Sequence, residues 1–69
     1  MRIHYDKNSD AAYLELQASP RLVTKTYCCE PNEVNGQINL DFDVDGRLLG
    51  IEILDASRLL PQVLLGTIN

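Results

Sequence analysis

Asp41, Asp43, Asp45, Gly46 and Glu52 stand at the spacing of a calcium-binding loop. In an EF-hand, carboxylates at alternate positions supply oxygen ligands, a glycine makes the sharp turn, and a closing glutamate completes the shell. The stretch D-F-D-V-D-G-R-L-L-G-I-E meets each fixed position. The same residues also read as a β-hairpin turning at Asp45-Gly46, since Asp-Gly is a strong hairpin signal. An EF-hand needs a helix on each side of its loop. The residues before Asp41 contain Pro31, Asn35-Gly36 and the alternation Ile38, Leu40 that continues at Phe42, which suits a strand and opposes a helix. Phe42 falls between two would-be ligands, and Leu49 occupies a position that often supplies a ligand or its water. The hairpin is therefore the expectation, with Asp41 and Asp43 facing solvent. A non-EF cation or small-ligand site using the acidic face of Asp41, Asp43 and Glu52 is the alternative. A solvated acidic face that keeps sheets from pairing edge to edge needs no ligand at all.

The remaining reactive side chains form no catalytic set. His4 is the lone histidine, and with the adjacent Cys28 and Cys29 it does not make a tetrahedral zinc set. Adjacent cysteines in a strand point to opposite faces, so one thiol is expected in the core and one outside, both reduced. Ser9, Ser19 and Ser57 lie in turns or at a cap, with no nucleophile elbow or phosphate loop around them. Asp6, Asp10 and Glu15 are candidates to join Asp41 in a carboxylate cluster, but paired-carboxylate catalysis needs a cleft that a small chain has little room for. No enzymatic activity, catalytic residue, metal or cofactor is expected.

The elements that position these residues follow from pattern. Arg2 to Tyr5 is a strand candidate ending in the turn-forming run Asp6 to Asp10. Ala12, Leu14 and Leu16 then alternate with polar residues until Ser19-Pro20. Leu22 to Cys29 is a strand rich in β-branched residues; Glu30 to Glu33 reads as a loop, and Asn35-Gly36 as a tight turn. Leu48 to Leu54 is the densest apolar run and the expected central strand. Asp55 is the expected side-chain N-cap of a short helical turn, and Pro61 opens a second one that Gly66 stops. The fold class is α+β: a small antiparallel β-meander of four or five strands with a C-terminal short helical element against one face, as a single domain over residues 1–69.

With 69 residues, such a chain buries only about 60% of its unfolded surface and is marginal as a monomer. The 45% hydrophobic content argues for a folded chain. A net charge of −4, with the six basic residues scattered singly, lacks the basic stripe of a nucleic-acid binder. No apolar run reaches a membrane span, and the polar N-terminus has no secretory signal, so a cytoplasmic location is expected. Leu59, Leu60, Val63, Leu64, Leu65 and Ile68 crowd the last part of the chain. They serve either to cover the sheet or as a candidate interface for a homo-oligomer.

Two segments carry a family resemblance. Tyr5-Asp6, with Asp10-Ala11-Ala12-Tyr13-Leu14, precedes the long stretch from Asn39 to Ser57 that includes Asp41-Phe42-Asp43-Val44-Asp45-Gly46. Together they resemble the YuzE-like family of small bacterial proteins, a domain of unknown function (DUF2283). Tyr27-Cys28-Cys29-Glu30-Pro31 departs from that pattern. The resemblance implies a strand-turn-strand at the Asp-x-Asp-Gly segment and no catalytic residues. It further implies an antitoxin-like module with a small protein partner. The function expected is a non-enzymatic interaction module, with the cation- or small-ligand-binding reading of the Asp41 and Asp43 face as the alternative.

Overall fold

Alternation of apolar and polar residues dominates this chain, and the backbone follows it into one sheet. The structure is a computed structural model that describes residues 1–17 and 22–66. Its strands are β1 (Arg2–Asp6), β2 (Ala11–Glu15), β3 (Lys25–Cys28), β4 (Ile38–Phe42) and β5 (Leu48–Leu54). Short helices α1 (Pro31–Val34), α2 (Ala56–Leu59) and α3 (Gln62–Leu65) complete it. The five strands form one antiparallel sheet in the order β1-β2-β5-β4-β3. The α+β class, the antiparallel sheet and the C-terminal helical element agree with the sequence pattern. β3, β4 and β5 run as a meander, and the β1–β2 hairpin joins it by pairing β2 with β5. β5, apolar on both sides except at Glu52, is the central strand.

The register sorts the residues by face. Ile3, Leu14, Ile51, Leu40 and Tyr27 are cross-strand partners in one row, and Tyr5, Ala12, Ile53 and Ile38 in the next. Because strand side chains alternate, these rows share the apolar face. Helix α2 covers one end of it: Ala56, Ala12 and Ile53 form the buried cluster, with Leu59 and Leu60 packed against it. Gly36 lies under α2, where a Cβ would stand 2.6 Å from the Leu59 side chain. Register shifts between Asp41 and Phe42, which pair with Gly50 and Leu48, so Leu49 is the extra residue of a bulge.

Several expectations need correction. Glu30 to Glu33 is not a loop: Pro31 opens α1, and the Glu30 side chain accepts from the Asn32 N–H at 3.2 Å. Asn35-Gly36 is not a two-residue hairpin turn, because Asn35 is the left-handed C-cap of α1 (φ 54°). β3 is shorter than Leu22 to Cys29, starting only at Lys25. Cys28 is exposed and Cys29 half-buried, so neither thiol is a core residue. The Ser19-Pro20 break and Ile68 lie outside the described residues.

Candidate functional site

The polar face opposite α2 is where the chemistry-bearing side chains gather. Its rows are His4, Tyr13, Glu52, Asn39, Cys28 and Arg2, Glu15, Gly50, Asp41, Thr26, each set by strand pairing. The Tyr13 ring lies across Gly50, where a Cβ would come within 2.0 Å of the phenol oxygen. A glycine inside an apolar strand marks such a close approach. Across that gap Tyr13 donates to Asp41 Oδ2 at 2.9 Å, and Thr26 donates to Asp41 Oδ1 at 2.7 Å. Asn39 donates to Glu52 at 2.9 Å, and His4 Nε2 donates to Glu15 at 2.9 Å.

Electrostatics follow from these bonds. Burial, with the Asp41 carboxylate beside it, pushes the Tyr13 phenol up to about 12. Tyr13 is thus a fixed neutral donor at ordinary pH rather than a base. The hydrogen bond from His4 holds the Glu15 carboxyl below its usual range. Beside these groups, His4, Tyr13, Glu52, Asp6 and Ala11 line a shallow open groove of about 260 Å³.

The calcium-like residues do not converge. Asp43 is not solvent-facing as alternation suggests: β4 ends at Phe42, and Asp43 is 4% exposed. Its Oδ1 accepts from the N–H groups of Asp45 and Arg47, both at 2.9 Å. Gly46 N–H donates to the Asp43 carbonyl, Asp43 N–H to the Arg47 carbonyl, and Gly46 adopts φ 82°. This is a hairpin loop whose glycine takes the left-handed position. Asp45 and Gly46 therefore sit in the turn, and Asp41, Asp43 and Glu52 do not share one acidic face. Among the described residues no three His, Cys, Asp or Glu side chains are grouped to hold a metal ion. Of the other acidic candidates, Glu15 stands across Gly50 from Asp41 in the same row and Asp6 lies on the same face, whereas Asp10 is turned to Ser57.

The cap of α2 is assigned differently from its sequence signature. Asp55 holds the N-cap position, but in a left-handed conformation (φ 56°) and with no side-chain cap bond. Its carboxylate accepts from Arg58 Nε at 2.6 Å instead. Asp10, from the β1–β2 turn, does the capping. It accepts from Ser57 N–H at 3.0 Å, Ser57 Oγ at 2.7 Å and Tyr5 Oη at 2.6 Å, while its carbonyl accepts from Ala56 N–H. The Tyr5 and Ser57 bonds hold the Asp10 carboxyl below its usual range. From sequence Asp10 is expected only in a turn or a carboxylate cluster, not as a cap, and Tyr13, Thr26, Asn39 and Gly50 have no assigned part; of these only Gly50, breaking a central strand, carries a local signal. Of the C-terminal apolar residues, Leu59 and Leu60 pack on the core, Leu64 and Leu65 are half-buried, and Val63 is 78% exposed.

A single antiparallel sheet with one polar, hydrogen-bonded face and one apolar face partly covered by short helices defines a small α+β sheet protein. The chain matches, over residues 2–57, the family described as a protein of unknown function (DUF2283). It belongs to that family. Neither the curated proteins nor the solved structures gave a significant match. No helix among the described residues is long and apolar enough to cross a membrane.

Proposed function

We propose that this chain is a non-enzymatic interaction module that works as a homo-oligomer. One observation carries the reading: the thinness of the core. Among the described residues the buried apolar side chains are Ala12, Leu49, Ile53 and Ala56, and no large side chain is fully buried. Two alanines and two aliphatics are a small buried set for a chain of this length, and small domains commonly gain stability from a partner chain. The polar face supports the non-enzymatic part. Its carboxylates already accept hydrogen bonds, Tyr13 is held neutral, and the hydroxyls of Ser9 and Ser57 donate to Asp6 and Asp10. The family resemblance adds an antitoxin-like form of the reading, in which the module also covers a small protein partner. A cytoplasmic location belongs to the same proposal, and the net charge of −4 argues against a nucleic-acid partner.

Sedimentation equilibrium at micromolar concentration tests the reading. An assembly mass of two or more chains is expected. A monomer mass that persists to high micromolar concentration refutes it.

A further inference from the structure

The apolar face of the sheet is covered unevenly. At the end under α2, Ala12 and Ile53 are buried, at 2% and 5% exposure. In the next row Ile3, Leu14, Ile51 and Leu40 are half-buried and Tyr27 is exposed, with Leu14 and Ile51 touching the buried cluster at their α2 side. Tyr27 on the edge strand β3 is 52% exposed, and Leu16, which extends the β2 ladder through its N–H to the Leu49 carbonyl, is 36% exposed. The row contains no charged residue. Most strand charges sit on the other face, where Asp6, Glu15, Asp41 and Glu52 stand with Arg2; on the apolar side Lys25, two residues before Tyr27 on β3, is a charge at the margin of the row.

Surface area sets what the open row needs. A folded monomer of this mass is expected to expose roughly 4300 Å². This chain exposes 4899 Å², with a thickness of only 18 Å. A face burying about 600 Å² on each of two copies, the size of this whole-chain excess, would total about 1200 Å², at the lower end of specific stable interfaces. A two-fold pairing also suits the electrostatics. Two chains of net charge −4 repel, yet an uncharged row meeting its own copy brings no like charges together.

We infer that the occupant of the open row is a second copy of this chain, packed sheet to sheet about a two-fold axis over Leu14, Ile51 and Leu40, with Leu16 and Tyr27 closing its margins. The inference rests on the oligomeric reading above and specifies its surface. It places the interface on the sheet rather than on the C-terminal apolar cluster.

The test compares the full-length wild type with two variants by sedimentation equilibrium. Leu16→Glu/Tyr27→Glu alters two side chains already exposed, and Val63→Glu alters the exposed apolar residue of α3. The double variant is expected to keep the wild-type circular dichroism and to weaken dimerisation by roughly 100-fold or more, while Val63→Glu stays dimeric. A folded double variant that remains dimeric overturns this surface and leaves the oligomeric reading standing. Dissociation by Val63→Glu alone does the same and moves the interface to the C-terminal helices. A monomeric wild type overturns both. If the double variant loses its circular dichroism, wild-type methyl spectra on dilution decide the matter. Shifts at Leu14, Ile51 and Leu40 support the sheet surface; shifts confined to Val63, Leu64 and Leu65 overturn it.

Discussion

Replacing Gly50 by alanine puts a methyl group where Tyr13 already lies. The new Cβ would sit 2.0 Å from the phenol oxygen and 2.3 Å from Cζ, well inside van der Waals contact. The Gly50 backbone is outside the left-handed region, so only this contact opposes the substitution. The ring must leave the strand and forfeit its bond to Asp41. A hydrogen bond to a charged acceptor contributes about 1.5–3 kcal/mol. Alanine in a strand recovers about 0.5–1 kcal/mol over glycine. The net loss is about 1–2 kcal/mol, which for a domain of this size lowers Tm by about 5–15 °C. Thermal unfolding followed by far-UV circular dichroism, at one fixed protein concentration, measures it for Gly50→Ala, Tyr13→Ala and the double variant. In the Tyr13→Ala background the alanine has nothing to displace and should be neutral or stabilising. Equal cost in both backgrounds, or a Gly50→Ala protein as stable as wild type, would refute the close-approach argument.

Other consequences follow from the same geometry. Tyr13 is raised to about 12, so the folded state holds its proton more tightly than the unfolded chain does near 10. That contribution is complete below pH 10 and is lost as pH rises toward 12; absorbance at 295 nm should show Tyr13→Phe removing the phenol that titrates near 12. Asp10 is shifted the other way. Its contribution is present above the unfolded value near 3.8 and lost as pH falls through its lower folded value. Acid titration of stability should therefore flatten in Asp10→Asn, and an unchanged acid limb would count against the cap. Asp43→Ala leaves the N–H groups of Asp45 and Arg47 without their acceptor and should cost about 1–3 kcal/mol in urea unfolding. Asp43→Asn keeps an acceptor oxygen and should cost clearly less; equal losses would place the effect elsewhere.

Much of the backbone was legible because alternation is a local signal. Leu48 to Leu54, apolar on both sides, identified itself as the central strand, and Asp45-Gly46 identified its hairpin. The strand order was less legible, since pairing β2 with β5 joins Tyr13 to Glu52 across a long separation that no local pattern encodes. Asp43 was misplaced by one residue of strand. Alternation carried past Phe42 sends it to solvent, whereas the turn begins at Asp43 and draws the carboxylate inward. Asp55 had the right residue type at the right position, but its left-handed backbone turns the side chain toward Arg58. The capping carboxylate came from Asp10, forty-seven positions away from Ser57 in the chain. The C-terminal apolar residues were divided by packing: Leu59 and Leu60 pack against the core, and Val63 does not.

The calcium-loop spacing is the sum of separate structural tasks. Asp41 receives Tyr13 and Thr26 on the polar face. Asp43 braces the loop from inside it, Asp45 occupies the turn, and Gly46 supplies the left-handed residue. Glu52 receives Asn39 on the neighbouring strand. A strand places carboxylates on one face at every second residue, and a hairpin loop calls for aspartate and glycine at its corner. Together they reproduce the spacing D-x-D-x-D-G without aiming the oxygens at one point. A cation drawn to this stretch would first have to displace hydrogen bonds that Asp41, Asp43 and Glu52 already make, and would find Asp41 and Glu52 on the polar face but Asp43 drawn into the loop. The motif describes where the oxygens fall along the chain, whereas coordination depends on where they fall in space.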